Sequence, residues 1–373
     1  MSTPTPTPTR PSTPGTPTTN TARDVFEFDE RLFTAAGELD KFSNPPSNNK
    51  QELFVFQWLA AVERELKRCG HDIFRIMQPN LERQLLKLIS MPTPKPRHPI
   101  RRLIARCFLS LYVRGNSSTL YETVQILQSL IEAGKGMGDK DVKLAAIHCI
   151  GVIMETIGEK IQSLVSELAT SFLKVIKYEK IYPLIMRDEA MVALRKMLQG
   201  AGRGSTDITN KEILKTLKVT ILDKALIMRS SSAESLSALV KHTSITFIRS
   251  DLEASITLFI KAMDESTYAI RKSVATSIAT LLYSKFQGEE NLSMNSAQSP
   301  PPIASKQGAG TEAFTLDVNE LLTHLSNAYN KPNTSREVRA GLSETYAALF
   351  IMLGPSVVER HYSSIMKHLL IDL

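Results

Sequence analysis

Ser266-Thr267-Tyr268-Ala269-Ile270-Arg271-Lys272-Ser273-Val274-Ala275-Thr276-Ser277-Ile278-Ala279-Thr280-Leu281-Leu282 reads as one amphipathic helix. Ile270, Val274, Ile278, Leu281 and Leu282 fall at i, i+4, i+8, i+11 and i+12, so they share a face. A second helix is expected just before it, from Leu252 to Met263, with Leu252, Ile256, Phe259, Ile260 and Met263 as its apolar stripe. Asp264-Glu265-Ser266 joins the two and is too short for anything but an antiparallel pair. Such a hairpin cannot bury both stripes alone; it needs another like it stacked alongside.

Copies are present. An apolar residue followed by a basic one, near the start of a helix, occurs at Ile100-Arg101, Val142-Lys143, Met186-Arg187, Met228-Arg229, Ile270-Arg271 and Val338-Arg339. The intervals are 42, 44, 42, 42 and 68 residues. The last equals one repeat plus an insertion of about 26, and Gln287 to Thr311, with its Ser-Pro-Pro-Pro and Gly-Ala-Gly runs, is the visible insertion. A two-helix unit recurring at roughly 40–47 residues is the HEAT or armadillo signature. The expected fold is therefore an all-α, right-handed HEAT/armadillo-type α-solenoid of about six to seven helix pairs, with a disordered insertion at 287–311. The pairs are expected from 81 onward, the first beginning at Leu81. The helix ahead of them carries Phe54, Phe56, Trp58, Leu59, Val62 and Leu66 as a cap. A seventh pair opens at Val357 and stops mid-pattern, so the array is expected to continue beyond Leu373.

Composition agrees. Aromatic residues are only 6% of the chain and strand-period runs are absent, which suits a core of aliphatic side chains between helices. Residues 1–50 are expected to be a disordered Thr/Pro-rich tail and linker, with slight helical character from Asp24 to Leu39, and 51–373 the solenoid. The tail's Thr-Pro and Ser-Pro pairs are candidates for proline-directed phosphorylation, set against a plain solvated tail. Cys69, Cys107 and Cys149 are too few and too scattered for a disulfide framework or zinc site and read as buried thiols, which fits a reducing cytosol. Neither an apolar signal core nor a span of ~20 apolar residues is present.

Little in the chain suggests catalysis. The glycine runs 134–138 and 200–204 do not match a phosphate loop and follow helices rather than strands. His148-Cys149 lies mid-helix among alanine and isoleucine without an oriented base. No enzyme, cofactor or metal site is expected. Charge is the one functional lead. The net charge is +7, yet residues 64–106 alone carry eleven basic and three acidic side chains, a balance of +8, leaving −1 elsewhere. Lys95, Arg97, Arg101, Arg102 and Arg106 mark the densest part. They form a candidate surface for an acidic partner or an anionic membrane, against the bland alternative that they pair with acidic neighbours across the stack. Aromatic interleaving of the kind that binds single strands is weak, so nucleic acid is not expected.

Several runs also resemble a known family. Phe56-Gln57-Trp58-Leu59 opens the helical region, and Pro99-Ile100-Arg101-Arg102-Leu103-Ile104-Ala105 leads to Leu111-Tyr112. Asp141-Val142-Lys143-Leu144-Ala145-Ala146 is followed by Cys149-Ile150-Gly151 and Glu155 to Gly158. In this order and spacing they are similar to the N-terminal region of the HEAT repeat-containing protein 5 family, whose fungal members are large accessory proteins of the trans-Golgi clathrin adaptor. The resemblance covers roughly 52–282. It implies a much longer cytosolic scaffold, peripherally associated with trans-Golgi and endosomal membranes. Its implied partners are the clathrin adaptor complex and that complex's small accessory subunits, and its implied role is traffic between those compartments. It transfers no catalytic residues and no small-molecule substrate. A different HEAT protein, such as a nuclear transport receptor or a nucleic-acid-associated scaffold, is the alternative, with the +8 segment as its binding site.

Overall fold

The structure is a computed structural model and describes residues 24–41, 49–133, 140–286 and 314–372. Backbone contacts divide the chain into two compact units, 1–119 and 120–373. The Thr/Pro tail to residue 23, the 134–138 glycine run and the expected disordered insertion lie outside the described residues, as do residues 42–48, which hold all of the linker expected at 43–49 except Asn49, the first residue of a helix.

The first unit contains α1 (Glu30–Lys41), α2 (Asn49–Arg68), α3 (His71–Ser90) and α4 (His98–Arg114). The expectation of disorder throughout 1–50 is corrected for 24–41. Phe28 meets Phe33, Phe54 and Trp58 at ring-centroid distances of 5.3, 5.7 and 5.2 Å, and this aromatic cluster seats the segment on α2. Phe26 is fully buried, and the Phe28 amide donates to Gln84 Oε1 at 3.1 Å. Helix α2 therefore has two apolar faces: Phe54 and Trp58 toward α1, and Val55, Leu59, Val62 and Leu66 into the core. Phe56, one of the apolar residues named for this helix from sequence, belongs to neither and is 41% exposed. Helix α3 starts ten residues before the expected Leu81, because Phe74, Met77, Leu81, Leu85 and Leu88 form one buried stripe that continues past the exposed Pro79.

The second unit is a series of pairs. Its first helices are α5 (Leu120–Glu132), α7 (Val165–Lys177), α9 (Asp207–Thr220), α11 (Arg249–Lys261) and α13 (Val318–Tyr329). Their second helices are α6 (Lys140–Ile157), α8 (Leu184–Ala201), α10 (Leu226–His242), α12 (Tyr268–Tyr283) and α14 (Arg336–Leu353). The second helices pack in strict order, α6 on α8, α8 on α10, α10 on α12 and α12 on α14, and α5, α7, α9 and α11 follow in a parallel layer. Two layers in which each helix meets its repeat neighbours are what defines a solenoid. Among the described residues the second unit thus holds five pairs and the first unit contains the pair α3/α4, and the fold is an all-α, HEAT/armadillo-type solenoid. The described residues form no sheet; one isolated bridge joins Phe286 to Leu316, with the Leu316 amide donating to Lys285 O at 2.7 Å. Beyond α14, where a seventh pair was expected, stand two short helices, α15 (Pro355–Arg360) and α16 (Tyr362–Asp372).

Burial follows the repeat register. Ile270 is 5% exposed and Val274, Ile278, Leu281 and Leu282 are fully buried in α12. Of the six apolar register residues, Ile100, Met186, Met228, Ile270 and Val338 are buried, while Val142 is half-buried. Small residues let neighbouring second helices approach closely. A Cβ on Gly200 of α8 would fall 2.0 Å from the Met154 carbonyl oxygen of α6, and one on Gly151 would fall 3.1 Å from Ala193. Between α10 and α12 the same closeness is used by hydroxyls: Ser237 Oγ bonds Ser277 Oγ at 3.0 Å, and Ser277 Oγ also donates to Ala233 O.

Candidate functional site

The basic register residues are the first to consider, since one of them, Arg101, belongs to the surface expected from sequence. At this position Lys143 Nζ donates to Ala133 O, Arg187 Nε to Ile176 O at 2.9 Å, Arg229 Nε to Asp223 O at 2.7 Å and Arg271 Nη1 to Ser266 O. Each reaches back to a carbonyl that closes the preceding helix or turn, where free carbonyls carry the negative end of the helix dipole. Two also clip the next repeat: Arg187 Nη2 to Asp223 Oδ2 at 2.7 Å and Arg229 Nη1 to Asp264 O at 3.3 Å. Arg101, Lys143 and Arg187 are only 5%, 7% and 8% exposed. Arg101 is thus a framework residue and does not contribute to a surface patch; that expectation is corrected.

Four candidates remain at the surface. Helices α2 and α4 lie side by side and run the same way, as their contacts show in order. Arg97 Nη1 is 3.5 Å from Glu52 Oε1, Cys107 Sγ is 3.8 Å from Leu59 O, and Arg106 Nη2 is 2.8 Å from Glu63 Oε1. Arg114 Nη2 then donates to Cys69 O at 2.9 Å, and its Nη1 to Leu66 O. Arg114 is a capping residue that sequence reading missed. It closes the carbonyl end of α2 while lying over the Phe74 ring at 5.1 Å. Lys95 is exposed in the turn before α4, and Arg102 and Arg106 stand one turn apart on its outer face. Arg102 makes no ion pair among the described residues. Glu63 is shared, since Lys67 Nζ also lies 2.8 Å from its Oε1, so one carboxylate answers two cations. Helical spacing puts the exposed Phe56 on the edge of α2 that carries Glu52, Glu63 and Lys67. The α2/α4 face thus carries exposed arginines and an exposed aromatic ring, with net positive charge. Beneath it, burial pushes the Cys107 thiol far up, so that sulfur is inert.

Other features singled out in the sequence are structural. His148 Nδ1 meets Glu189 Oε1 at 2.8 Å across the α6–α8 boundary, and its neighbour Cys149 is fully buried. Of the 200–204 glycines, Gly200 and Gly202 border a cleft of about 390 Å³ with Glu159, Arg203, Lys241 and His242. The cleft sits at the carbonyl ends of α8 and α10, which disfavour a phosphate. Burial, reinforced by Lys241, lowers the His242 pKa. No group of three metal-ligating side chains occurs among the described residues, and none of their helices is long and apolar enough to cross a membrane.

No family model matches the chain. Protein SWEETIE of Arabidopsis thaliana is 22% identical over 261 residues, covering 70% of this chain and 11% of its own. The chain thus spans about a tenth of that relative's length. Among solved structures, Kap121p bound to RanGTP is 12% identical with a TM-score of 0.48, covering 91% of this chain and 30% of that one. A designed armadillo repeat protein is 13% identical with a TM-score of 0.37, covering 78% of this chain and 100% of that one.

Proposed function

We propose that the chain is a non-catalytic helical-repeat scaffold whose α2/α4 face docks an acidic segment of a clathrin adaptor or of its small accessory subunits. In this way it serves vesicle traffic between the trans-Golgi network and endosomes. The observation that carries the docking face is Arg102, exposed without an ion pair among the described residues and one helical turn from the exposed Arg106. Arginine and aromatic side chains are the residues that protein interfaces enrich, and a surplus of fixed guanidinium groups selects carboxylates. The partner's identity rests on the resemblance to the HEAT repeat-containing protein 5 family, and with it the cytosolic, membrane-peripheral localisation. The test is binding of the 373-residue chain to purified adaptor complex by biolayer interferometry. Arg102→Glu should weaken binding by about tenfold or more, with an unchanged melting temperature, because Arg102 is exposed and makes no ion pair among the described residues, whereas Arg106 is tied to the buried Glu63. Equal binding by the variant and its parent would remove the α2/α4 face from this role.

A further inference from the structure

The second unit carries a different surface at the edge where each first helix turns into its second. The two residues immediately before the buried register residue are Leu184-Ile185, Leu226-Ile227 and Tyr268-Ala269 in three consecutive repeats. Leu184, Leu226 and Tyr268 follow one another at intervals of 42 residues and are 44%, 37% and 57% exposed; Ile185 and Ile227 are 59% and 50% exposed. The same positions are Lys140-Asp141 at the start of α6 and Arg336-Glu337 at the start of α14. The apolar row is therefore confined to α8, α10 and α12 and ends in charge on both sides. Those helices are direct neighbours, so at 8–10 Å per helix the row extends about 20 Å. Within the turns, Tyr178, Ile181 and Leu222 add further exposed apolar area.

Two further observations bear on what the row meets. The turns are fastened to each other by Arg187 to Asp223 and Arg229 to Asp264 O, so the tips are held in place before any partner arrives. Lysines are interleaved with the tips: Lys180, Lys224 and Lys272 are exposed and make no ion pair among the described residues. Over residues 177–187, 222–229 and 264–272, seven basic side chains stand against four acidic ones, and of these four Asp223 is tied to Arg187 and Asp264 to Ser335. Lysine is depleted from protein–protein interfaces. An apolar tip with lysine beside it is instead what an anionic bilayer surface takes up, the tip entering the headgroup boundary and the ammonium meeting phosphate.

We infer that the turn edge of α8, α10 and α12 is a docking surface for an anionic lipid bilayer, with Ile185, Ile227 and Tyr268 as inserting tips. This surface is separate from the α2/α4 face and does not rest on the adaptor reading. The test is co-sedimentation of the 373-residue chain with phosphatidylcholine vesicles, with and without phosphatidylserine. The parent should partition onto the phosphatidylserine vesicles and release as salt rises. Ile185→Glu/Ile227→Glu should lose about tenfold or more in partition, and Lys180→Glu/Lys224→Glu should abolish the preference for phosphatidylserine. Both should melt with the parent, since the side chains are exposed; if the glutamate pair fails to fold, Ile185→Ser/Ile227→Ser carries the same expectation. Failure of the parent to sediment with either vesicle overturns the inference and leaves the row to a protein partner. So does equal sedimentation by the apolar variants. Loss of vesicle binding in Arg102→Glu with full binding by Ile185→Glu/Ile227→Glu also overturns it, moving the lipid contact to α4.

Discussion

Arg187 holds Ile176 and Asp223 at once: its Nε donates to the Ile176 carbonyl at 2.9 Å, and its Nη2 donates to Asp223 Oδ2 at 2.7 Å. One guanidinium thus closes the helix behind it and clips the turn of the next repeat. The Arg187 and Asp223 side chains are 9% and 14% exposed, so neither is well hydrated if the other is removed. Arg187→Ala and Asp223→Ala should each lower stability by about 2–4 kcal/mol. The double variant should fall short of the sum by about 0.5–3 kcal/mol, read from urea midpoints. Strict additivity would mean that the pair is not coupled.

Gly200 reverses the usual rule for helices. Alanine in place of glycine in a helix normally gains about 1 kcal/mol. Here the new Cβ would stand 2.0 Å from the Met154 carbonyl oxygen, a backbone atom that cannot swing aside. Gly200→Ala should therefore destabilise by about 1–3 kcal/mol through forced separation of α6 and α8. A melting temperature at or above that of the parent would show that this boundary is looser than described.

Asp188 gives the stack a pH dependence. Burial raises its pKa above the ordinary carboxylate value. The Ser231 hydroxyl, 2.6 Å away, pulls it down, Glu189 pushes it up and Arg195 pulls it down. A carboxyl whose folded pKa lies above its unfolded one favours folding while protonated. That contribution is lost as pH rises through the folded value. Asp188→Asn keeps the uncharged state at every pH. Its stability relative to the parent should rise between about pH 3 and pH 7, followed by thermal melts across that range. A difference that stays flat with pH would remove Asp188 from the balance.

The pair architecture was legible because each helix carries a long aliphatic stripe and the stripes recur at a fixed interval. The ends of helices were less so. The first pair was expected from Leu81, yet the stripe from Phe74 to Leu88 carries the helix back to His71 through Pro79, whose side chain faces solvent. The helical character of 24–39 was legible but its seating was not, because the anchoring is aromatic and non-local: Phe28 is held by Phe54 and Trp58, which no spacing rule connects to it. Arg101 is the instructive case. Its place in the six-fold register already marked it as equivalent to Lys143 and Arg187, and that equivalence outweighs its place in a basic run. Charge counting along the chain cannot tell a buried guanidinium from one turned to water. Phe56 was concealed in the opposite way, as an apolar residue in an apolar run whose helix has two buried faces and needs no third.

The bridge between Phe286 and Leu316 sets adjacent what the chain separates by thirty positions. With the Leu316 amide tied to Lys285 O and α14 seated directly on α12, the described residues on either side of 287–313 meet directly. The cost of closing such a span rises only by about 0.6 kcal/mol for each doubling of its length. Length there is nearly neutral for folding, so this is where a lineage can lengthen, shorten or rewrite the chain while the helices on either side keep their places.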